Sequence, residues 1–136
     1  MNNAYQSKRT RISGTSFKEI EKNALTIFKT IKRKTKRTSY VRSKYFRKEK
    51  VFLSIFWGHL YEKSEKDKTR RLKLFDCALD LIQNSTRNPT TRENFQKKDE
   101  LLHRFHGETK HNEKFTVQIK ENKRTKRKDF VSVYPN

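Results

Sequence analysis

The chain has 136 residues, of which 35 are Lys or Arg and 15 are Asp or Glu, so its formal net charge at neutral pH is +20. This length suits one small domain, and a hydrophobic content of 31% excludes a large enzyme with a deep cofactor cavity. A single cysteine, Cys77, excludes an internal disulfide framework and, with four scattered histidines, disfavours a structural zinc site.

The charge excess predicts a polyanionic partner. Self-repulsion of this size raises the free energy of the compact state unless an anion offsets it, and nucleic acid is the commonest cellular polyanion. No apolar stretch approaches the length of a membrane span or of a signal peptide. We therefore expect a cytoplasmic protein that binds nucleic acid rather than a membrane.

The N-terminal third divides into a basic arm and a helix. Residues 1–14 are polar, basic and without periodicity, which predicts a disordered arm. A helix is predicted over residues 16–34, because Ser16 and Glu19 have the spacing of a capping box at its start. An apolar stripe then follows at helical spacing: Phe17, Ile20, Ala24, Ile27, Phe28 and Ile31.

The segment from Lys29 to Lys50 holds 11 Lys or Arg and a single acid, so it supplies half of the net charge. We expect it to be the main electrostatic footprint, with a short strand around residues 39–46. Its aromatic rings can stack on bases or pack on the core, and packing is favoured for at least two of these three: Tyr40, Tyr45 and Phe46. The predicted phosphate-binding cations are Lys32, Arg33, Lys36, Arg37, Arg42 and Lys44.

Two further helices are predicted from apolar periodicity, over residues 51–63 and 69–84. His59 lies on the first and is interpreted as a core or boundary residue rather than a catalyst. Cys77 lies on the second and is interpreted as a small buried hydrophobe, since helical spacing fixes no His or basic partner beside it. The second helix must end before Pro89, which closes a cluster of turn-forming residues.

Three antiparallel strands are predicted at the C-terminus, over residues 100–107, 114–122 and 128–134. Alternation in the last two places five side chains on the face that meets the helices: Phe115, Val117, Ile119, Val131 and Val133. We therefore predict a single α+β domain over residues 15–136, with N-terminal helices followed by a C-terminal antiparallel sheet of three to four strands.

The outer face of this sheet, away from the helices, is where we expect a functional site. If Phe105 faces the core, Arg104 and His106 lie on the outer face of the first of these strands, whereas the opposite register places His103 there. The remaining outer side chains would be Thr116, Gln118, Lys120, Phe130, Ser132 and Tyr134.

Such a grouping suits metal-independent cleavage of RNA. A general base takes the proton of the ribose 2′-hydroxyl, cations stabilise the charged phosphorane, and a general acid protonates the leaving 5′-oxygen. His suits either proton role and Arg or Lys suits the charge role, while no carboxylate cluster on these strands suits Mg²⁺. The alternatives are a noncatalytic nucleic-acid-binding protein, ribosome-associated or a phage accessory factor, and a module that binds an acidic protein.

The C-terminal stretch also resembles a known family. The segments RFHG from Arg104, FTVQIKE and KDFVSVYP resemble the end of small toxin ribonucleases of the Barnase-EndoU-colicin-RelE superfamily, especially those associated with phages. The resemblance covers residues 101–135 and is a pattern of strands rather than an invariant motif. It implies a cofactor-free RNA-cleaving site on a curved antiparallel sheet, with Arg104, His106 and Ser132 at matching positions. It also implies an RNA target and, in many members, a neutralising protein.

Overall fold

The computed structural model describes residues 3–136. Its helices span Phe17–Lys34 (α1), Ser54–Tyr61 (α2), Glu65–Leu72 (α3) and Phe75–Asn84 (α4). Its strands span Tyr5–Gln6 (β1), Tyr40–Ser43 (β2), Glu49–Phe52 (β3), Thr90–Glu93 (β4), Glu100–Glu108 (β5), Lys114–Asn122 (β6) and Lys128–Pro135 (β7). Within this range, no helix combines the length and the apolar character needed to cross a bilayer.

The seven strands of the described chain form one sheet that curves as a half-barrel. The strand order is β1-β5-β6-β7-β3-β2, and β4 pairs with β5 on the same side as β1. The prediction of an antiparallel sheet with three to four strands is wrong, because β1 runs parallel to β5 and β3 runs parallel to β7. Of the additional strands, β2 lies within the short strand expected around residues 39–46, whereas β1, β3 and β4 have two to four residues each, which is too short for alternation to show in the sequence.

The segment expected to be a disordered arm is instead attached to the domain from residue 3 onwards, and residues 1 and 2 lie outside the described range. Tyr5 pairs with Gly107 in β5, and the carboxylate of Asp80 in α4 accepts a hydrogen bond of 2.6 Å from the Ser7 hydroxyl. Ile12 is 9% exposed and belongs to the core. Few apolar side chains attach this N-terminal segment to the domain, which is why its composition alone indicated disorder.

The first helix begins as predicted, with the Ser16 hydroxyl accepting a hydrogen bond from the Glu19 backbone N–H at 3.3 Å. The apolar segment at residues 51–63 is not one helix: its first residues are the end of β3, and α2 follows after the fully buried Leu53. The helix predicted over residues 69–84 is two helices, α3 and α4, which share the apolar stripe across the break. Periodicity alone did not reveal that break.

The hydrophobic core lies between the sheet and helices α1, α2 and α4. Phe56 of α2 stacks on Phe130 of β7, with ring centroids 4.6 Å apart, and on Phe75 of α4 at 5.4 Å. Trp57 packs against Phe28 of α1 at 5.3 Å. This aromatic cluster fixes α2 on the inner side of β7, and so determines where the remaining side chains of α2 project.

A β-bulge in β7 changes which side chains face the core. Ser132 pairs with Gln118, but the next pair is Phe130 with Ile119, so Val131 is the extra residue. Phe130 is therefore fully buried, and Val131 contributes to the outer face. The prediction that placed Val131 inward and Phe130 outward is wrong, because strict alternation does not allow for an inserted residue.

Candidate functional site

The outer face of the β5-β6-β7 meander carries two rows of polar side chains. Arg104, Gln118 and Ser132 are cross-strand partners in one row. The next row along the strands is made of His106, Thr116 and Tyr134. Antiparallel pairing brings the members of each row side by side, about 5 Å from strand to strand.

Helices α2 and α3 add side chains to this face at the edge of β7. The strand β3 pairs with β7 only at residues 128 and 129, and both helices contact β7. Side chains from the two helices and the meander enclose an open cavity of about 480 Å³, here called the histidine cavity. It is lined by His59, Lys63, Arg71, Arg104, Gln118, Val131, Ser132 and Tyr134.

Arg71 is the most firmly held cation of the histidine cavity. Its Nη1 donates a hydrogen bond of 2.8 Å to the Ser132 hydroxyl, and its guanidinium carbon lies 5.5 Å from the centre of the Tyr134 ring. Its Nε donates to Asp67 at 3.1 Å, and Arg70 donates to the same oxygen at 2.9 Å. Burial alone would raise the pKa of Asp67, but the hydrogen bonds from both arginines outweigh it and lower that pKa, so the carboxylate stays ionised and holds Arg71 in place.

His59 enters the cavity from the last turn of α2. The neighbouring side chains Phe56 and Leu60 are both 1% exposed, and they anchor this turn to the core. His59 itself is exposed, and Lys63, four residues further along the chain, lines the same cavity. The imidazole is therefore available to a bound molecule.

Arg104 completes the cationic lining from β5. Its Nε lies 3.4 Å from the Oε1 of Gln118, its partner across the sheet. None of the described residues that line the histidine cavity is acidic. Three permanent cations, an imidazole and two hydroxyls thus face one open space, which favours an anion of phosphate type.

The remaining predicted residues of the outer face lie beside the histidine cavity rather than in it. His106 is exposed, and its Nδ1 lies 3.4 Å from the hydroxyl of the buried Thr116. Both are in the row of Tyr134, which does line the cavity. Lys120 pairs across the sheet with Asp129, in a row beyond the bulge. The structure therefore places His106 next to the cavity and Lys120 further from it.

His103 lies on the inner face. The strand β5 therefore has the register that places Arg104 and His106 outward, not the alternative that would expose His103. Its side chain is 8% exposed, and its two ring nitrogens lie 2.8 Å from the Thr91 hydroxyl and 2.8 Å from the Glu121 carboxylate. Glu121 also lies 3.5 Å from the buried ammonium of Lys128, which in turn bonds to Glu49 at 2.9 Å. This buried network is structural and leaves no part of His103 free for catalysis.

Part of the basic segment surrounds a second cavity, which we call the aromatic cavity. Its volume is about 480 Å³. It is lined by Lys34, Lys36, Arg37, Thr38, Tyr40, Lys50 and Phe52. Lys36 and Arg37 were predicted to bind phosphate, and they are part of this lining.

The other predicted cations of the segment lie around it. Arg42 and Lys44 line a neighbouring cavity of about 600 Å³ between β2 and the helices. Two cations end α1 as exposed side chains and line neither cavity: Lys32 and Arg33. The basic segment is thus spread around one end of the sheet, separate from the histidine cavity.

Two of the three aromatic rings of the segment serve packing, as predicted. Tyr45 and Phe46 lie edge-on to Phe105, at 5.3 and 5.9 Å between centroids. Tyr40 instead lies on the outer face of β2. Among the three rings, Tyr40 is therefore the one that a ligand can reach from the outer face.

Sequence reasoning missed three residues of the histidine cavity: His59, Lys63 and Arg71. A signal was present for the first two, because a spacing of four residues places them on one helical side, next to the buried Leu60. Arg71 immediately precedes Leu72, the first buried residue of its stripe. What the sequence could not show is that this helical edge meets the outer face of β7.

Comparisons of the chain with protein-family models, curated proteins and solved structures find no match. The resemblance to toxin ribonucleases therefore stays a prediction. Within residues 3–136, no group of three or more His, Cys, Asp or Glu side chains is placed to hold a metal ion.

Proposed function

We propose that this protein binds RNA and cleaves its backbone in the histidine cavity by metal-independent transesterification. The observation that supports this proposal best is the convergence of His59, Arg71 and Arg104 on one open cavity whose described lining residues include no acid. A formal charge of +20 supplies long-range attraction for the polyanion.

The reaction needs two proton transfers and a place for negative charge. The ribose 2′-oxygen attacks the phosphorus as a base removes its proton, and the bond to the 5′-oxygen breaks as an acid protonates that oxygen. The products are a 2′,3′-cyclic phosphate and a 5′-hydroxyl, so this step consumes no water. Arg71 and Arg104 are assigned to the phosphate oxygens, where charge increases in the transition state.

Two histidines are assigned to proton transfer. His59 lines the cavity at the β7 edge, and His106 projects from β5 on the same outer face. His106 lies beside the cavity, on a strand two spacings (roughly 10 Å) from β7, so its role requires the bound RNA to extend from the cavity across the row of Thr116 and Tyr134.

The decisive experiment is incubation of the protein with total RNA in EDTA. We expect fragments that end in cyclic phosphate, and a loss of roughly 10²- to 10⁴-fold in rate for His59→Ala. The matched control is His111→Ala, since His111 is exposed in the β5–β6 turn and lines no part of the histidine cavity. Gel retardation without cleavage would refute the enzymatic proposal and favour a noncatalytic RNA-binding protein. Cleavage that stops in EDTA would refute the metal-independent mechanism.

A further inference from the structure

Tyr40 and Phe52 form an aromatic pair on the outer face of the sheet. They are direct partners in the antiparallel β2–β3 ladder, and their ring centroids are 6.1 Å apart with the planes at 70°. Both rings line the aromatic cavity. Neither ring belongs to the buried core, so the pair supports the β2–β3 ladder as a cross-strand contact and leaves both rings only half-buried.

Cations surround both rings. The ammonium of Lys50 lies 4.7 Å from the centre of the Tyr40 ring and the guanidinium of Arg42 lies 5.4 Å from it. Arg127 lies 4.1 Å over the Phe52 ring. The aromatic cavity adds further cations from the end of α1 and the loop after it, and none of its described lining residues is acidic. Because these cations lie over the ring faces, a base that stacks there displaces flexible Lys or Arg side chains, which stay close enough to contact its phosphates. Rings and cations in this arrangement are the elements of a site for single-stranded nucleic acid.

The aromatic cavity and the histidine cavity lie on the same face of one sheet. Phe52 is the register partner of Asp129, which lies three residues before Ser132 on β7. Two strand spacings across and three residues along separate Tyr40 from Ser132, a path of roughly 14 Å. The one acid on this path, Asp129, is 7% exposed and its carboxylate lies 3.3 Å from Nε of Arg127, so it does not repel a phosphate backbone.

We infer that the outer face of β2 and β3 is a stacking platform for unpaired bases of the same RNA strand whose scissile phosphate lies in the histidine cavity. That one RNA strand occupies both the platform and the histidine cavity rests on the proposed function. The substrate class that follows is single-stranded RNA, or a loop or end with several unpaired nucleotides, because bases inside a duplex do not present their faces to protein rings.

The test measures binding apart from cleavage. Fluorescently labelled oligodeoxythymidine lacks the 2′-hydroxyl and is not cleaved by transesterification, so its anisotropy reports affinity alone. We expect Tyr40→Leu to weaken this binding roughly 5- to 100-fold while binding of a DNA hairpin of equal charge changes less than twofold. Tyr61→Leu is the matched control, since Tyr61 is 46% exposed and lines neither the aromatic nor the histidine cavity.

A second measurement uses the unaltered protein and does not depend on the folding of a variant. Ultraviolet cross-linking to an oligonucleotide that carries 5-bromouracil should attach it to the peptides that contain Tyr40 or Phe52. Cross-links confined to other peptides, or equal losses of hairpin and single-strand binding in Tyr40→Leu, would overturn the inference.

The outcomes also separate the platform from the nuclease. If wild-type protein cleaves RNA in EDTA but Tyr40→Leu binds single strands normally, the platform is refuted and the nuclease stands. If no cleavage occurs but Tyr40→Leu loses single-strand binding and the cross-links fall on Tyr40 or Phe52, the platform stands and the nuclease is refuted.

Discussion

The guanidinium of Arg71 donates a hydrogen bond to the hydroxyl of Ser132 over 2.8 Å, although 61 positions separate the two residues in the chain. This contact joins the last turn of α3 to the outer face of β7. The same side chain is fixed on its other side by Asp67. Arg71 therefore occupies one defined position at the rim of the histidine cavity, with little reorganisation needed when a phosphate binds.

The first prediction tests that position. Arg71→Ala should lower RNA cleavage by roughly 10²- to 10³-fold, because it removes a preorganised donor to the phosphate. Arg71→Lys should recover only part of the rate, since an ammonium keeps the charge but not the planar fork. Arg70→Ala is the control: Arg70 bonds to the same carboxylate, is 58% exposed and lines no part of the cavity. Equal rates for the Arg70 and Arg71 variants would remove Arg71 from the site.

The second prediction concerns the two histidines on the outer face. If they act as acid and base, the cleavage rate of the wild-type protein has a bell-shaped pH dependence. His59→Ala should abolish one limb of the bell and His106→Ala the other, each with a loss of roughly 10²- to 10⁴-fold in rate. RNA affinity should change little, which anisotropy in EDTA can check. If the pH profile of His106→Ala is still bell-shaped, a residue other than His106 is the proton-transfer partner of His59.

The third prediction concerns stability. The side chain of Lys128 is 4% exposed and forms ion pairs with Glu49 at 2.9 Å and with Glu121 at 3.5 Å, so Lys128→Ala leaves the part-buried Glu121 with only its contact to His103. We expect a loss of about 3 kcal/mol in the free energy of unfolding, measured by urea denaturation. Lys123→Ala is the matched control, since its ion pair with Glu93 is at the surface and should leave the midpoint nearly unchanged. Similar midpoints for the two variants would show that the buried network adds nothing.

The fourth prediction uses the thiol. Burial, the largest cause, raises the pKa of Cys77 to about 12, with a smaller contribution from Asp76. The folded protein therefore favours the neutral thiol, and this contribution to stability is complete below the pKa of an unfolded cysteine and disappears as pH rises towards 12. Iodoacetamide at pH 8 should label Cys77 only as fast as the protein unfolds, which mass spectrometry can follow. If iodoacetamide labels Cys77 in the folded protein as fast as in urea, the thiol is accessible and this prediction is wrong.

The C-terminal strands could be predicted because their side chains alternate. The observed bounds of β6 are those predicted, and β5 and β7 are each one residue longer than expected. The sequence left two registers open for β5. Because His103 and Phe105 are buried, the register that places Arg104 and His106 outward is the observed one. These are local patterns, so a single sequence displays them.

The parts that the sequence did not reveal depend on contacts between distant segments. The docking of Tyr5 and Ser7 on Asp80 involves residues more than 70 positions apart. His59 was interpreted as a core or boundary residue because its neighbours are apolar, and only the placement of α2 at the edge of β7 exposes it to the cavity. Contacts between residues that are so far apart in the chain produce no periodic pattern in a single sequence.

The bulge at Val131 sets the phase of the last strand. With that single inserted residue, Phe130 points into the core while Ser132 and Tyr134 point outward. Without the bulge, strict alternation would place Phe130, Ser132 and Tyr134 on one face, so either Phe130 would be exposed to water or the hydroxyls of Ser132 and Tyr134 would be buried. One inserted residue thus lets the core side chains of Phe130 and Val133 and the outward hydroxyls of Ser132 and Tyr134 belong to the same strand.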